Sequence, residues 1–74
     1  MLPTRANRRL RLARAKHGWS QRELARRAGV SVETITRAEV GRTRPGPVSA
    51  FRIATALGVP IGEIFPEYAE EEAS

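Results

Sequence analysis

The sequence predicts an all-α fold, a compact bundle of five short helices. Three observations predict it. Apolar residues recur three and four positions apart, the spacing of one helix face. Glycines at 18, 29, 41 and 58 punctuate those runs, where a left-handed helix end favours glycine. Each run opens on a capping residue or a proline: Thr4, Ser20, Ser31, Pro47 and Pro60.

Taken in order, Met1 to Thr4 reads as a loose arm, with Thr4 as cap for a first helix from about Arg5 to His17. Ala6, Leu10 and Ala13 form its inner stripe. Arg5, Arg8, Arg9 and Arg11 lie outside, either as a solvated face or against a DNA backbone. His17 falls where a helix ends, and C-terminal capping suits it better than metal binding, because the chain has no second histidine. Trp19 is read as packing where the first two helices meet, with base stacking as the alternative.

The second helix starts at Gln21. Ser20 and Glu23 have the spacing of a capping box, Leu24, Ala25 and Ala28 share the inner face, and Gly29 stops it. Ala25 is small where a neighbouring helix crosses. Ser31 then caps a third helix that runs to Gly41. At about 100° per residue, Ile35 points inward with Ala38 and Glu39 beside it, whereas Glu33, Thr36, Arg37 and Val40 turn outward. Arg14 stands ~40° from Leu10, the same angle that separates Glu39 from Ile35. A charge on each of two core-facing stripes calls for a partner, so Arg14 and Glu39 are expected to pair; otherwise they are two unrelated surface charges. Arg42, Thr43 and Arg44 occupy a loop able to clamp a phosphate. A fourth helix from Pro47 to Leu57 buries Ala50, Ile53, Ala54 and Leu57, and a fifth runs from Ile61 to Phe65 before Pro66 closes it. Residues 67–74 read as an acidic tail after a domain spanning 1–66. Phe65 and Tyr68 are expected to be exposed and to mark a dimer surface.

The charge distribution bears on partners. Residues 1–52 hold all thirteen Lys and Arg and only three acids, a balance of +10, while five glutamates from Glu63 onward give the remainder −5. A basic body suits phosphate binding. The chain has no cysteine, so a disulfide framework or thiolate zinc site is excluded. With no cysteine, no aspartate and one histidine, proton-transfer or metal catalysis lacks its parts; no enzyme activity, cofactor or metal is expected. No apolar run is long enough for a signal peptide or a membrane span, and a cytoplasmic protein is expected.

Two short helices joined by a glycine turn, in a basic chain, make a helix-turn-helix over about residues 20–40. Gln21, Leu24-Ala25, Gly29, Ser31 and Glu39-Val40-Gly41, with Arg14 upstream and Pro45, Leu57-Gly58-Val59 and Glu63-Ile64-Phe65 downstream, resemble the Cro/CI-type, lambda-repressor-like family, also called the xenobiotic-response-element family. The resemblance covers roughly Leu10 to Phe65. It implies a DNA-binding repressor whose third helix reads bases through Val32, Glu33 and Arg37, with Thr36 on the same side. It also implies the Arg14–Glu39 contact, an apolar residue at Trp19, and a Gln21 that braces the third helix. Phosphate contacts are expected from Ser20, Gln21, Ser31, Arg42, Thr43 and Arg44. A homodimer on a palindromic double-stranded site follows from the likeness. The competing expectation is an antitoxin-like or adaptor module whose acidic tail meets a protein partner. The chain departs from the pattern at Val40, where a polar residue is usual, at Ala38, where a larger apolar one is usual, and at Pro60 and Gly62 in the fifth helix.

Overall fold

A computed structural model of the chain describes residues 6–69. Helix α1 spans Arg8–Lys16, and Asn7 caps it: its Oδ1 accepts from the Leu10 N–H at 3.0 Å. The helix thus begins later than expected. Thr4 and Arg5 lie outside the described residues, and Ala6, expected on the inner stripe, precedes the helix and is exposed. Asn7 also ties α1 to the rest of the fold. Its backbone N–H donates to Glu39 O at 2.8 Å and its side-chain amide donates to Ile64 O at 2.7 Å.

Helix α2 covers Gln21–Ala28 and α3 covers Val32–Val40. Ser20 and Ser31 cap them, each hydroxyl oxygen accepting from the N–H three residues on. Only half of the expected capping box forms. Glu23 turns away from Ser20 to bond Arg26 and Arg27, whose guanidinium groups hold its carboxyl below the usual range. Gly29 and Gly41 adopt φ of 73° and 78° after α2 and α3, a conformation costly for residues with a Cβ.

Helix α4 spans Pro47–Leu57, and α5 is a single turn, Ile61–Ile64. A 3₁₀ turn, Pro66–Tyr68, follows. Helix α2 packs on both α3 and α4, α1 lies against α3 and α5, and α4 meets α5. Leu10, Leu24, Ile35, Ile53, Ile64 and Phe65 are fully buried where these helices meet. Truncating any of the leucines or isoleucines to alanine is expected to cost about 2–5 kcal/mol.

The expected exposed aromatics are a correction. Phe65 is 1% exposed and Tyr68 is 6% exposed. Because α5 is so short, Pro66 turns the chain back over the core. The Tyr68 hydroxyl then donates to Pro45 O at 2.8 Å, which satisfies the polar end of a buried ring. The packed body therefore reaches past residue 66, and neither aromatic offers a dimer surface. The exposed apolar side chains include Leu12, Val48 and Phe51 instead. Of the segment read as an acidic tail, residues 70–74 lie outside the described residues.

His17 caps its own helix through its backbone N–H, which donates to Arg14 O at 3.1 Å, and its ring reaches the end of a second helix. Its Nε2 lies 3.0 Å from Leu57 O, at the end of α4. Its ring stacks on Trp19 at 4.1 Å, and Arg27 sits 4.5 Å from the centre of the same indole. Trp19 is thereby packed against the core's edge, as the packing alternative expected.

Candidate nucleic-acid interface

The side of α3 that carries Ile35, Ala38 and Glu39 is buried, with Glu39 2% exposed. A buried carboxylate is tolerable only if it is paired and bonded. Arg14 supplies the pairing, with Nε and Nη2 donating to the two Glu39 oxygens at 2.5 and 3.0 Å. Its Nη1 donates to Trp19 O at 2.8 Å. The Glu39 hydrogen bonds raise the guanidinium pKa above its ordinary value, against the opposing pull of desolvation. Gln21 adds a third donor to Glu39, at 3.0 Å, and accepts from the Thr36 hydroxyl at 2.8 Å. The expected Arg14–Glu39 pair is therefore present, and Gln21 links α2 to the middle of α3. Among the described residues, no buried side-chain nitrogen or oxygen is left without a partner.

Holding the inner side fixes which residues face out. Val32 is 40% exposed and Val40 42%, and the side chains of Glu33 and Arg37 are exposed and bonded to each other at 2.8 Å. A helix with its side chains is about 10–12 Å across, a size that a major groove ~12 Å wide admits.

The expected phosphate ligands fall around this helix, but not in equal readiness. Ser20 lines a shallow depression with Arg22, Arg26 and Val32, between α2 and the start of α3. Thr43 lines another with Glu33, Arg37 and Ser49. Arg44 stands off to one side, 5.4 Å from the centre of the Tyr68 ring, and borders a hollow with Arg8 and Arg9. Ser20 and Ser31 already cap their helices. The Gln21 amide is engaged by Thr36 and Glu39, and the Thr36 hydroxyl proton is committed to Gln21. The side chains of Arg42 and Thr43 are exposed.

Arg22 and Arg26 escaped the sequence reading as neighbours of the recognition helix. Their outward position on α2 was legible, but their closeness to Val32 depends on how the two helices cross. Arg52 is a further such case, donating to Gly29 O at 3.3 Å beyond the end of α2. Among the described residues, no cluster of His, Cys, Asp or Glu is arranged to hold a metal ion, and no helix is long and apolar enough to cross a membrane.

Comparison with known proteins bears on this geometry. A helix-turn-helix family model matches residues 10–64. The chain is 43% identical over 56 residues to an HTH-type transcriptional regulator of Methanocaldococcus jannaschii, covering 76% of this chain and 85% of that one. It is 40% identical over 57 residues to one from Archaeoglobus fulgidus, covering 77% and 81%. Among solved structures, the clp gene regulator ClgR from C. glutamicum superposes with a TM-score of 0.68 at 29% identity, over 88% of this chain and 84% of that chain. A hypothetical transcription factor, NHTF, from Neisseria superposes with a TM-score of 0.71 at 27% identity, over 100% and 97%.

Proposed function

The chain belongs to the lambda-repressor-like, Cro/CI-type helix-turn-helix family, a non-enzymatic DNA-binding kind, and from that premise we propose that it is a transcriptional repressor that reads a specific double-stranded site. Helix α3 lies in the major groove in this reading. Val32, Glu33, Thr36 and Arg37 face the bases, Thr36 through its methyl group or its oxygen as an acceptor, because its hydroxyl proton is committed to Gln21. Arg42, Thr43 and Arg44 meet the phosphates on one flank. Ser20 and Gln21 meet them on the other, with the unbonded backbone N–H groups that open α2, and Ser31 stands beside the backbone at the start of α3. The supporting observation is the division of α3 into a wholly bonded inner side and a solvent-facing outer side bearing Glu33 and Arg37.

One module makes few contacts, so a homodimer on a palindromic site belongs to the proposal, with half-sites ~34 Å apart. A cytoplasmic location follows from DNA as target. Selection of bound sites from random duplexes tests all of this. The expected outcome is a symmetric sequence, bound with an affinity that falls steeply as salt rises. Indifference to every duplex at low salt would overturn the reading.

A further inference from the structure

We infer that Glu33 is the specificity selector of α3: it holds Arg37 in reserve and penalises any duplex that does not turn an amino group toward it about two pairs from a guanine. The inference rests on α3 entering the major groove and goes beyond listing Glu33 among base contacts. Three observations carry it.

First, Glu33 is the one carboxylate on the outward side of α3. Glu39 points inward and is bonded to Arg14 and Gln21, and Glu23 on α2 is held by Arg26 and Arg27. A negative charge at this spot, held only by Arg37, opposes simple attraction to phosphate, so it lowers affinity for DNA in general.

Second, Glu33 and Arg37 are joined by one bond, Nη2 to Oε2 at 2.8 Å, with side chains 68% and 56% exposed. That bond uses one guanidinium proton and one carboxylate oxygen. Arg37 keeps its other N–H donors and Glu33 keeps Oε1 as an acceptor. An exposed pair of this kind is weak and opens readily.

Third, the groove chemistry is asymmetric. A carboxylate only accepts, and the major groove offers acceptors on guanine, on thymine and at adenine N7. Only the amino groups of cytosine and adenine donate. Four residues rise ~6 Å along a helix, close to two steps of about 3.4 Å along a strand. Arg37 therefore takes guanine O6 and N7, while Glu33 accepts from an amino group about two pairs along. Every pair carries one amino group, on one strand or the other; where it lies on the far strand, the carboxylate meets acceptors and Arg37 stays with Glu33. Discrimination arises from the repulsive element as much as from the attractive one.

The full chain and its Glu33→Gln and Arg37→Ala variants test this. Each is measured against the selected site, against that site with the pair facing Glu33 inverted, which carries its amino group to the other strand, and against an unrelated duplex. Glu33→Gln is expected to bind the unrelated duplex several-fold tighter and to lose about tenfold of the preference for the selected site. Arg37→Ala is expected to lose preference at the guanine. Thermal unfolding of both variants should match the parent, because neither side chain is buried. A Glu33→Gln chain that keeps the parent's preference, or that weakens on all three duplexes alike, would overturn the selector role. Binding to no duplex by the parent would instead overturn the reading of α3 as a groove-binding helix.

Discussion

Helix α3 takes part in two arginine–glutamate pairs, one on each side. They are alike in chemistry and opposite in consequence. Arg14–Glu39 has side chains 20% and 3% exposed, and Gln21 completes the bonding of the carboxylate. Arg37–Glu33 has both partners largely in water and no third member. The first pair is costly to break because either remaining charge would be stranded in the interior. The second contributes a few tenths of a kcal/mol at most to the fold, as exposed i,i+4 pairs do, which leaves it available for another partner. Surroundings, not the pairing itself, separate a scaffold element from a recognition element.

The sharpest way to break this comparison is at Glu39. Glu39→Ala is expected to destabilise the fold by about 3–5 kcal/mol, measured by urea unfolding, since it leaves Arg14 Nε and Nη2 and the Gln21 amide without their acceptor. The double change Arg14→Met with Glu39→Leu should recover much of that loss. A double variant no better than the single one would show that shape, not charge, matters there. Next in size is Arg37→Ala, expected to cost about 1–3 kcal/mol of discrimination at one base pair in competition binding, with stability changed by less than ~0.5 kcal/mol. Asn7→Ala, which leaves both side-chain pairs in place, should cost roughly 0.5–2 kcal/mol as a lost cap in the same unfolding assay.

The smallest effect concerns Glu23 on α2, a third pairing that lies wholly at the surface. Its carboxyl is held low by hydrogen bonds, chiefly from Arg26 and then Arg27. A depressed folded value means that the linked stabilisation is present above the ordinary carboxylate range and is lost as pH falls through the folded value. NMR titration of the Glu23 carboxyl should show a midpoint below 4.5, and Arg26→Ala should bring it back toward that ordinary value.

Much of this was legible in the sequence because it is local. Ser20, Ser31 and the glycines at 29 and 41 mark helix ends through backbone conformation alone, and the inner residues of α3 follow from helix period. Arg14 and Glu39 could be matched because each breaks an apolar stripe. What stayed hidden depends on contacts across the chain. Asn7 was overlooked as a cap because its reach to Glu39 O and Ile64 O exists only once α3 and α5 are in place. Tyr68 looked exposed because nothing near it in sequence shows that Pro45 will accept its hydroxyl proton. By contrast, the bracing of α3 by Gln21 follows from the family resemblance, and its amide bonds Thr36 and Glu39.

The Gln21–Thr36 hydrogen bond sets the limits of re-engineering. Positions 32, 33, 37 and 40 can be randomised in a library to redirect the module to new operators, since none of them supports the interior. Position 36 belongs to the chassis although it lies among them, and a successful library would keep threonine, or serine, there.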